Sequence, residues 1–125
     1  MHVLLADDDE TFRTLVAAEL RRTGHQVMEA ADGAEALEAI ADRVAVDGFD
    51  VVIADNRMPF LSGLHILASL RGLRQRIATI LVTGCADRAT RTVAGQLGAT
   101  VVHKPFDMKQ LWRAIELSKR SARDR

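Results

Sequence analysis

The stretch FDVVIADNRMPFLSG, residues 49–63, decides the fold because it joins an apolar run to an acid and a loop. Val51 to Ala54 is continuous and rich in β-branched residues, as expected for a strand buried on both faces of a parallel sheet. Asp55 follows this run directly, and Pro59 interrupts regular structure beyond it. The stretch therefore predicts a buried strand with an acidic side chain at its carboxyl end.

Four further apolar runs resemble this one, and amphipathic stretches separate them. The runs are Val3–Ala6, a weaker Gln26–Ala30, Ile77–Val82 and Thr100–Val102. The amphipathic stretches have apolar residues at helical spacing, namely Phe12, Leu15, Val16 and Leu20; Ala36, Leu37, Ile40 and Val44; Leu64, Ile66, Leu67 and Leu70; Val93 and Leu97 within 86–97; and Met108, Leu111, Ile115 and Leu117. Five strand–helix repeats predict a doubly wound α/β fold, (βα)5, with a five-stranded parallel sheet and helices on both faces.

Length and composition favour one small domain. The 125 residues fit a single domain over 1–125, with a core from about 2 to 118 and a basic tail over 119–125 that contains Lys119, Arg120, Arg123 and Arg125. The 17 basic and 17 acidic residues cancel, so no general basic field predicts direct nucleic-acid binding. The start, MHVLLADDDE, lacks a signal-peptide pattern, and no apolar run approaches the roughly 20 residues of a membrane helix. Cys85 is the single cysteine, which suits a cytoplasmic location.

Polar residues stand where four of the predicted strands end. Residues 7–9, all aspartates, follow the first strand, and Asp55 follows the third. Thr83 follows the core of the fourth strand, and Lys104 follows the fifth. In doubly wound sheets, functional groups collect beyond the carboxyl ends of the strands, at the point where the strand order reverses. We therefore expect carboxylates, a hydroxyl and an ammonium group to share one edge of the sheet.

This set of groups suits phosphoryl chemistry. Clustered carboxylates raise one another's pKa unless a cation compensates, and hard oxygen ligands with open positions suit Mg²⁺, which also meets phosphate oxygens. A lysine and a hydroxyl hold the other phosphoryl oxygens, and a carboxylate in line with a donor is a covalent acceptor. Asp9 is expected to cap the first helix rather than to bind metal. Each residue alone has an ordinary structural explanation, so the prediction depends on their conjunction.

At this point the chain resembles the receiver domain of bacterial two-component response regulators, the CheY-like superfamily. The motifs are VLLADDDETFR at 3–13, ADGAEAL at 31–37, FDVVIADNRMPFLSG at 49–63, ILVTG at 80–84 and HKPF at 103–106. They extend from His2 to about Ser118. The resemblance implies a flavodoxin-like fold and a phosphoacceptor switch in a phosphorelay, without turnover of a substrate beyond its own phosphotransfer and slow autodephosphorylation.

The resemblance also implies the site residues and partners. Asp55 would receive the phosphoryl group from a sensor histidine kinase or a phosphotransfer protein. Mg²⁺ would be bound by Asp8, Asp55 and the backbone carbonyl of Arg57, with Asp7 acting through water. Thr83 would donate a hydrogen bond to the phosphoryl group, and Lys104, before a cis Pro105, would pair with it. Downstream, a protein target or output domain is expected, with a possible homodimer through helix 4, strand 5 and helix 5, and no membrane partner.

Two departures from the family pattern concern the reporting of phosphorylation. Receivers usually carry Tyr or Phe three residues before the lysine, where this chain has Val101, and it has no tyrosine. The segment GATVVHK, residues 98–104, is one residue shorter than usual. Trp112 is predicted to flank the core of the last helix, or else to anchor a partner. Arg57 is predicted to point to solvent, or else to shield the phosphoryl group from water.

Three alternatives stay open from the sequence. A Mg²⁺-dependent phosphatase of similar topology is one, although the second acid of haloacid dehalogenase-type phosphatases is missing two residues after Asp55, where Arg57 stands. A degenerate receiver that no longer takes phosphate is another, and the intact polar set argues against it. Direct DNA binding is the third, and no second domain with a recognition helix is present in this chain.

Overall fold

The computed structural model describes residues 1–44, 46–73 and 76–123, with all side chains in these ranges except that of Arg123. Five strands alternate with five helices along the chain. They are β1 (His2–Ala6), α1 (Glu10–Arg22), β2 (Gln26–Ala30), α2 (Gly33–Val44), β3 (Val51–Asp55), α3 (Gly63–Ser69), β4 (Ala78–Thr83), α4 (Arg88–Gln96), β5 (Thr100–His103) and α5 (Met108–Arg123), with a 3₁₀ turn over Leu70–Gly72. The predicted (βα)5 order is confirmed.

The strands form one parallel sheet in the order β2-β1-β3-β4-β5. The chain winds outward from β1 in both directions, so the strand order reverses between β1 and β3. This is the doubly wound, flavodoxin-like arrangement, and it confirms the predicted fold class. The polar residues that follow β1 and β3 therefore lie next to the switch point.

Two apolar layers cover the faces of the sheet. On one face, α1 and α5 pack over Leu5, Ile53 and Ile80. On the other, α2, α3 and α4 pack over Leu4, Val52 and Leu81, among other residues. All five residues of β3 are buried, as its continuous apolar run predicts.

Element ends differ from the predicted ones where a cap or the sheet register decides them. The helix predicted over 86–97 begins at Arg88, because the Asp87 side chain accepts a hydrogen bond from the Thr90 N–H and caps it. The strand predicted from Ile77 begins at Ala78, whose N–H donates to the Asp50 carbonyl.

Four of the residues predicted on apolar helix faces are exposed instead. They are Leu15, Val44, Val93 and Leu117, which are 67%, 38%, 40% and 55% exposed. Small neighbours are buried in their place, for example Ala17 on α1 and Ala94 on α4. The sheet covers a narrower arc of α1, α2, α4 and α5 than their hydrophobic periodicity suggests.

The predicted basic tail begins inside α5, which continues through Arg123. Ala122 is 3% exposed, so the last turns of this helix still contact the core. Arg125 lies outside the described residues. Among the residues described, no helix is long and apolar enough to cross a membrane.

A serine of α5 completes the hydrogen bonding of β4. β5 begins at Thr100, which pairs with Ile80 of β4, so Thr79 has no partner residue in β5. The buried Ser118 hydroxyl accepts a hydrogen bond from the Thr79 N–H at 2.9 Å and donates to the Thr79 carbonyl at 3.0 Å. A helix side chain therefore stands in for a strand residue at this position.

Candidate functional site

Lys104 connects the two buried carboxylates at the carboxyl edge of the sheet. Its Nζ lies 2.9 Å from Asp7 Oδ2 and 2.9 Å from Asp55 Oδ2. Asp7 is 1% exposed and Asp55 is 7% exposed, so both acids are largely removed from water. Because β1 and β3 are adjacent and β5 ends two strands away, the lysine side chain reaches across the end of β4 to make these contacts.

The remaining oxygens of the two acids accept backbone hydrogen bonds. Asp7 Oδ1 accepts from the Asp9 N–H at 2.9 Å, and Asp55 Oδ1 accepts from the Arg57 N–H at 3.1 Å. Asp9 caps α1, accepting from the Phe12 N–H at 3.1 Å, as predicted. Each buried carboxylate is thus oriented by one backbone donor and one ammonium donor.

Burial and ion pairing act in opposite directions on the charged groups. Burial raises the pKa of Asp7, and the nearby Asp55 adds to the rise, while the Asp9 N–H and Lys104 oppose it. Burial lowers the pKa of Lys104, but its hydrogen bonds to Asp7 and Asp55 outweigh this effect, so that its pKa is raised. The lysine is therefore held charged between two acids, one of which resists ionisation.

Three carboxylates are close enough to share a divalent cation. One oxygen from each of Asp7, Asp8 and Asp55 lies within 4.8 Å of the others. Asp8 is exposed, which leaves one side of the cluster open to water and to a phosphoryl group. Hard oxygen donors with an open side fit Mg²⁺, which keeps several waters when it binds. The predicted ligands Asp7, Asp8 and Asp55 are brought together, and the Arg57 carbonyl stays a prediction.

Thr83 lies at the end of β4, and its hydroxyl is bound within its own loop. The Oγ1 accepts from the Cys85 N–H and donates to the Cys85 carbonyl, both at 3.1 Å. Thr83 is 1% exposed, whereas Cys85 is an exposed free thiol. For Thr83 to donate to a phosphoryl group, this local turn has to open.

Three residues near the site have positions or contacts that the sequence did not predict. Asn56 follows Asp55, and its Oδ1 is the one buried side-chain oxygen or nitrogen without a hydrogen-bond partner among the described residues. Arg13 donates to the Asp7 carbonyl at 2.7 Å and to Glu29 at 3.1 Å. The Phe12 ring lies under Lys104, with Nζ 4.2 Å from the ring centroid. A helical apolar pattern could reveal only that Phe12 faces inward.

Two glycines allow the loop after Asp55 to pack closely. A Cβ on Gly63 would lie 2.5 Å from the Asp55 carbonyl oxygen, and one on Gly33 would lie 2.5 Å from the Leu61 Cβ. Both distances are below any real contact, so each position requires glycine while the loop keeps its path. The Lys104–Pro105 peptide bond is cis, as the family resemblance implies.

Phe60 projects from the same loop. It is 90% exposed, and its φ of 71° is unusual for a residue with a side chain. The Leu61 N–H donates to the Pro59 carbonyl at 2.8 Å, which closes a γ-turn around Phe60.

Trp112 and Val101, the residue at the position where receivers usually carry Tyr or Phe, both pack against the core, on opposite faces of the sheet. Trp112 is half-buried against the core and lies 5.4 Å from His25, centroid to centroid, beyond the end of α1. This agrees with a residue flanking the core. Val101 is half-buried on the face covered by α2, α3 and α4, paired with Leu81.

The fold and the site together define a doubly wound α/β domain with an acidic, lysine-bridged site at its topological switch point. A family model described as the response regulator receiver domain matches residues 3–116, and the chain belongs to this family. It is a receiver domain of the two-component response regulator class.

Individual relatives agree with this assignment. The chain is 32% identical over 115 residues to the transcriptional regulatory protein ZraR of Escherichia coli O157:H7, covering 91% of this chain and 25% of that protein. The chain thus spans a quarter of this curated relative. Among solved structures, a response regulator receiver domain protein from Clostridium thermocellum is similar with a TM-score of 0.85 and 28% identity, over 98% of this chain and 96% of that one.

A second solved structure carries a metal ion. It is the receiver domain of the sensor histidine kinase PA1611 from Pseudomonas aeruginosa PAO1, with a magnesium ion coordinated in its active-site cleft. The likeness has a TM-score of 0.78 and 26% identity, and covers 94% of this chain and 96% of that one.

Proposed function

We propose that this chain is a phosphoacceptor switch in a two-component phosphorelay, in which Asp55 accepts a phosphoryl group in the presence of Mg²⁺. The observation that carries the proposal is the buried Asp55 carboxylate, paired with Lys104 at 2.9 Å inside a cluster of three acids. Mg²⁺ would be held by Asp8, Asp55 and the Arg57 carbonyl, with Asp7 acting through water. Bound there, it would supply positive charge that offsets the charge of the phosphoryl oxygens.

The transfer step follows from the groups at the site. An oxygen of Asp55 forms a bond to phosphorus, while the bond between phosphorus and the donor nitrogen of a phosphohistidine breaks and its electron pair leaves with the imidazole. Lys104 then shifts a hydrogen bond from Asp55 to a phosphoryl oxygen. Thr83 leaves its turn with Cys85 to donate to another oxygen, which alters the loop between β4 and α4.

A groove beside the site supports a protein donor. It has a volume of about 640 Å³ and adjoins Lys104, and its lining includes Phe12, Leu15, Val16 and Met108. Leu15 is 67% exposed, so an apolar side chain is available in the groove that adjoins Lys104. A sensor kinase or phosphotransfer protein that buries this groove would bring its phosphohistidine close to Asp55.

The proposal includes no turnover of an external substrate, only phosphotransfer to Asp55 and slow loss of that group to water. A downstream protein or output domain would sense the altered β4–α4 loop. A homodimer through α4, β5 and α5, a cytoplasmic location and the lack of direct nucleic-acid binding stay predictions from the sequence.

An intact-mass measurement after incubation with Mg²⁺ and acetyl phosphate tests the proposal. We expect one added phosphoryl group on the wild type and none on Asp55→Asn. Asp50→Asn is the matched control because Asp50 precedes the opposite end of β3 and accepts from the His2 N–H at 2.7 Å. A wild type that gains no mass would indicate a degenerate receiver, and steady release of phosphate from general phosphoesters would indicate an enzyme.

A further inference from the structure

Lys104 is held by a third group besides its two carboxylates. Its Nζ lies 4.2 Å from the centroid of the Phe12 ring, well within the roughly 6 Å of a cation–π contact. The side chain of Lys104 is 22% exposed, so the contact is partly shielded from water. Cation–π contacts are stronger when they are shielded in this way.

The ring itself is fixed in orientation. Phe12 and Phe106 pack edge to face, with centroids 5.4 Å apart and ring planes at 88°. The Phe12 N–H is also tied to the Asp9 cap at 3.1 Å, which sets its place in the first turn of α1. The ring therefore presents a defined face to the ammonium group.

The ring contact differs from the ion pairs in one respect that matters for transfer. A lysine ammonium has three N–H donors, and the carboxylates of Asp7 and Asp55 take two of them at 2.9 Å each. The ring face attracts the positive charge as a whole. When Asp55 becomes an acyl phosphate, its carboxylate loses its charge, the phosphoryl oxygens bring negative charge of their own, and the Lys104 N–H that was bound to Asp55 must move to a phosphoryl oxygen. The contact with Phe12 persists through that exchange.

We propose that Phe12 is a positioning residue that keeps the Lys104 ammonium at the acceptor while its hydrogen bonds pass from Asp55 to the incoming phosphoryl group. This rests on the proposed phosphoacceptor function and deepens it. While one hydrogen bond of Lys104 is being exchanged, the ring of Phe12 and the carboxylate of Asp7 are the two groups that still hold its ammonium, so loss of the ring contact lets Lys104 move away from the acceptor and slows the transfer. The aromatic character of residue 12, rather than its bulk, then sets the transfer rate.

Fluorinated phenylalanines separate aromatic character from bulk, since successive fluorines weaken the negative face of the ring with little change in size. We would place mono-, di- and trifluorophenylalanine at position 12 and measure phosphorylation by acetyl phosphate with Mg²⁺. The rate should fall stepwise, reaching about 3- to 10-fold with the trifluoro ring. Phe12→Leu should fall in the same range, and Phe12→Tyr should retain most of the rate.

Phe49 offers a matched control, because Arg43 lies over its ring at 5.4 Å on another part of the fold. Trifluorophenylalanine at position 49 weakens a cation–π contact without touching the site, so the phosphorylation rate should equal that of the wild type. An equal loss at positions 12 and 49 would overturn the proposal, as would equal rates along the fluorinated series at position 12.

Proton NMR of the resting protein tests the contact without any phosphodonor. The Lys104 side-chain protons nearest the Phe12 ring should be shifted upfield by its ring current, and Phe12→Leu should abolish the shift. A wild-type spectrum without the shift refutes the positioning role alone. A wild type that shows the shift and gains no phosphoryl group overturns the proposed function, and the catalytic consequence of Phe12 with it.

Discussion

Replacing Ser118 by alanine should destabilise the domain far more than a serine on a helix ordinarily would. The Ser118 hydroxyl accepts from the Thr79 N–H at 2.9 Å and donates to its carbonyl at 3.0 Å, in a fully buried environment. Ser118→Ala leaves both backbone groups of β4 without a partner, because β5 begins only opposite Ile80. No residue of the sheet can take its place without lengthening β5.

The magnitude follows from the two groups left unpaired. Each buried, unsatisfied backbone group costs about 1–3 kcal/mol, and two on one residue relax together, so their sum is about 2.5–3.5 kcal/mol. Alanine returns about 0.5 kcal/mol of helix propensity relative to serine. The free energy of unfolding should therefore fall by about 2–3 kcal/mol, which lowers Tm by about 8–12 °C for a chain of this size.

Urea unfolding monitored by circular dichroism measures this loss, and an unchanged m-value would show that the compactness of both states is retained. Ser69→Ala is the matched control, because the Ser69 hydroxyl only donates to the Ile66 carbonyl within its own helix region, at 2.6 Å. It should change stability by less than about 0.5 kcal/mol. Equal effects of the two substitutions would refute the reasoning, as would undiminished hydrogen-exchange protection of the Thr79 amide in Ser118→Ala.

Further substitutions test the loop and the charges around the site. Phe60→Gly should raise the free energy of unfolding by about 0.5–1 kcal/mol, because φ is 71° there and the ring is 90% exposed, whereas Phe60→Ala should give no gain in the same urea titration. Gly63→Ala should lower the free energy of unfolding by about 2 kcal/mol and slow phosphorylation, because the new Cβ would lie 2.5 Å from the Asp55 carbonyl oxygen. Gly95→Ala, in open space within α4, should instead raise the free energy of unfolding by about 0.5–1 kcal/mol. Lys104→Met should cost about 2 kcal/mol at neutral pH, and Mg²⁺ should restore part of that loss. Removing Lys104 raises the pKa of Asp7 further, so the mutant loses stability as pH rises above about 4. The difference in the free energy of unfolding between wild type and mutant should therefore shrink as pH falls. A difference that does not change with pH would contradict the ion-pair assignment.

Most of the fold could be predicted because its signal is local. A strand covered on both faces leaves a largely apolar run, and β3 and β4 are buried along their whole length, with Asp55, Thr79 and Thr83 as their polar residues. Alternation of strands and helices then restricts the topology through the handedness of the crossovers. The apolar face of each helix was less predictable. Ala17 and Ala94 are fully buried because small residues let a helix approach the sheet, which periodicity of large side chains cannot indicate.

The residues at strand ends could be predicted from the sequence, whereas the residues that support them from other elements could not. Asp7, Asp55, Thr83 and Lys104 lie at strand ends, and the parallel topology alone brings strand ends to one edge. The roles of supporting residues depend on distances between elements that are far apart in sequence. The contact of Phe12 with Lys104 joins α1 to the loop after β5, and no spacing in the sequence encodes it.

The contact between Gly33 and Leu61 makes the substitutions tolerated at the start of α2 depend on the path of the loop after β3. Gly33 begins α2, and a side chain there would place its Cβ 2.5 Å from that of Leu61, in the loop that follows the acceptor strand. Shortening Leu61 to alanine leaves the offending Cβ in place, so no ordinary exchange of side chains relieves the clash. A library that varies the acceptor loop to alter partner choice should therefore hold position 33 at glycine, while a change at position 33 becomes tolerable only in a sequence whose loop follows another path.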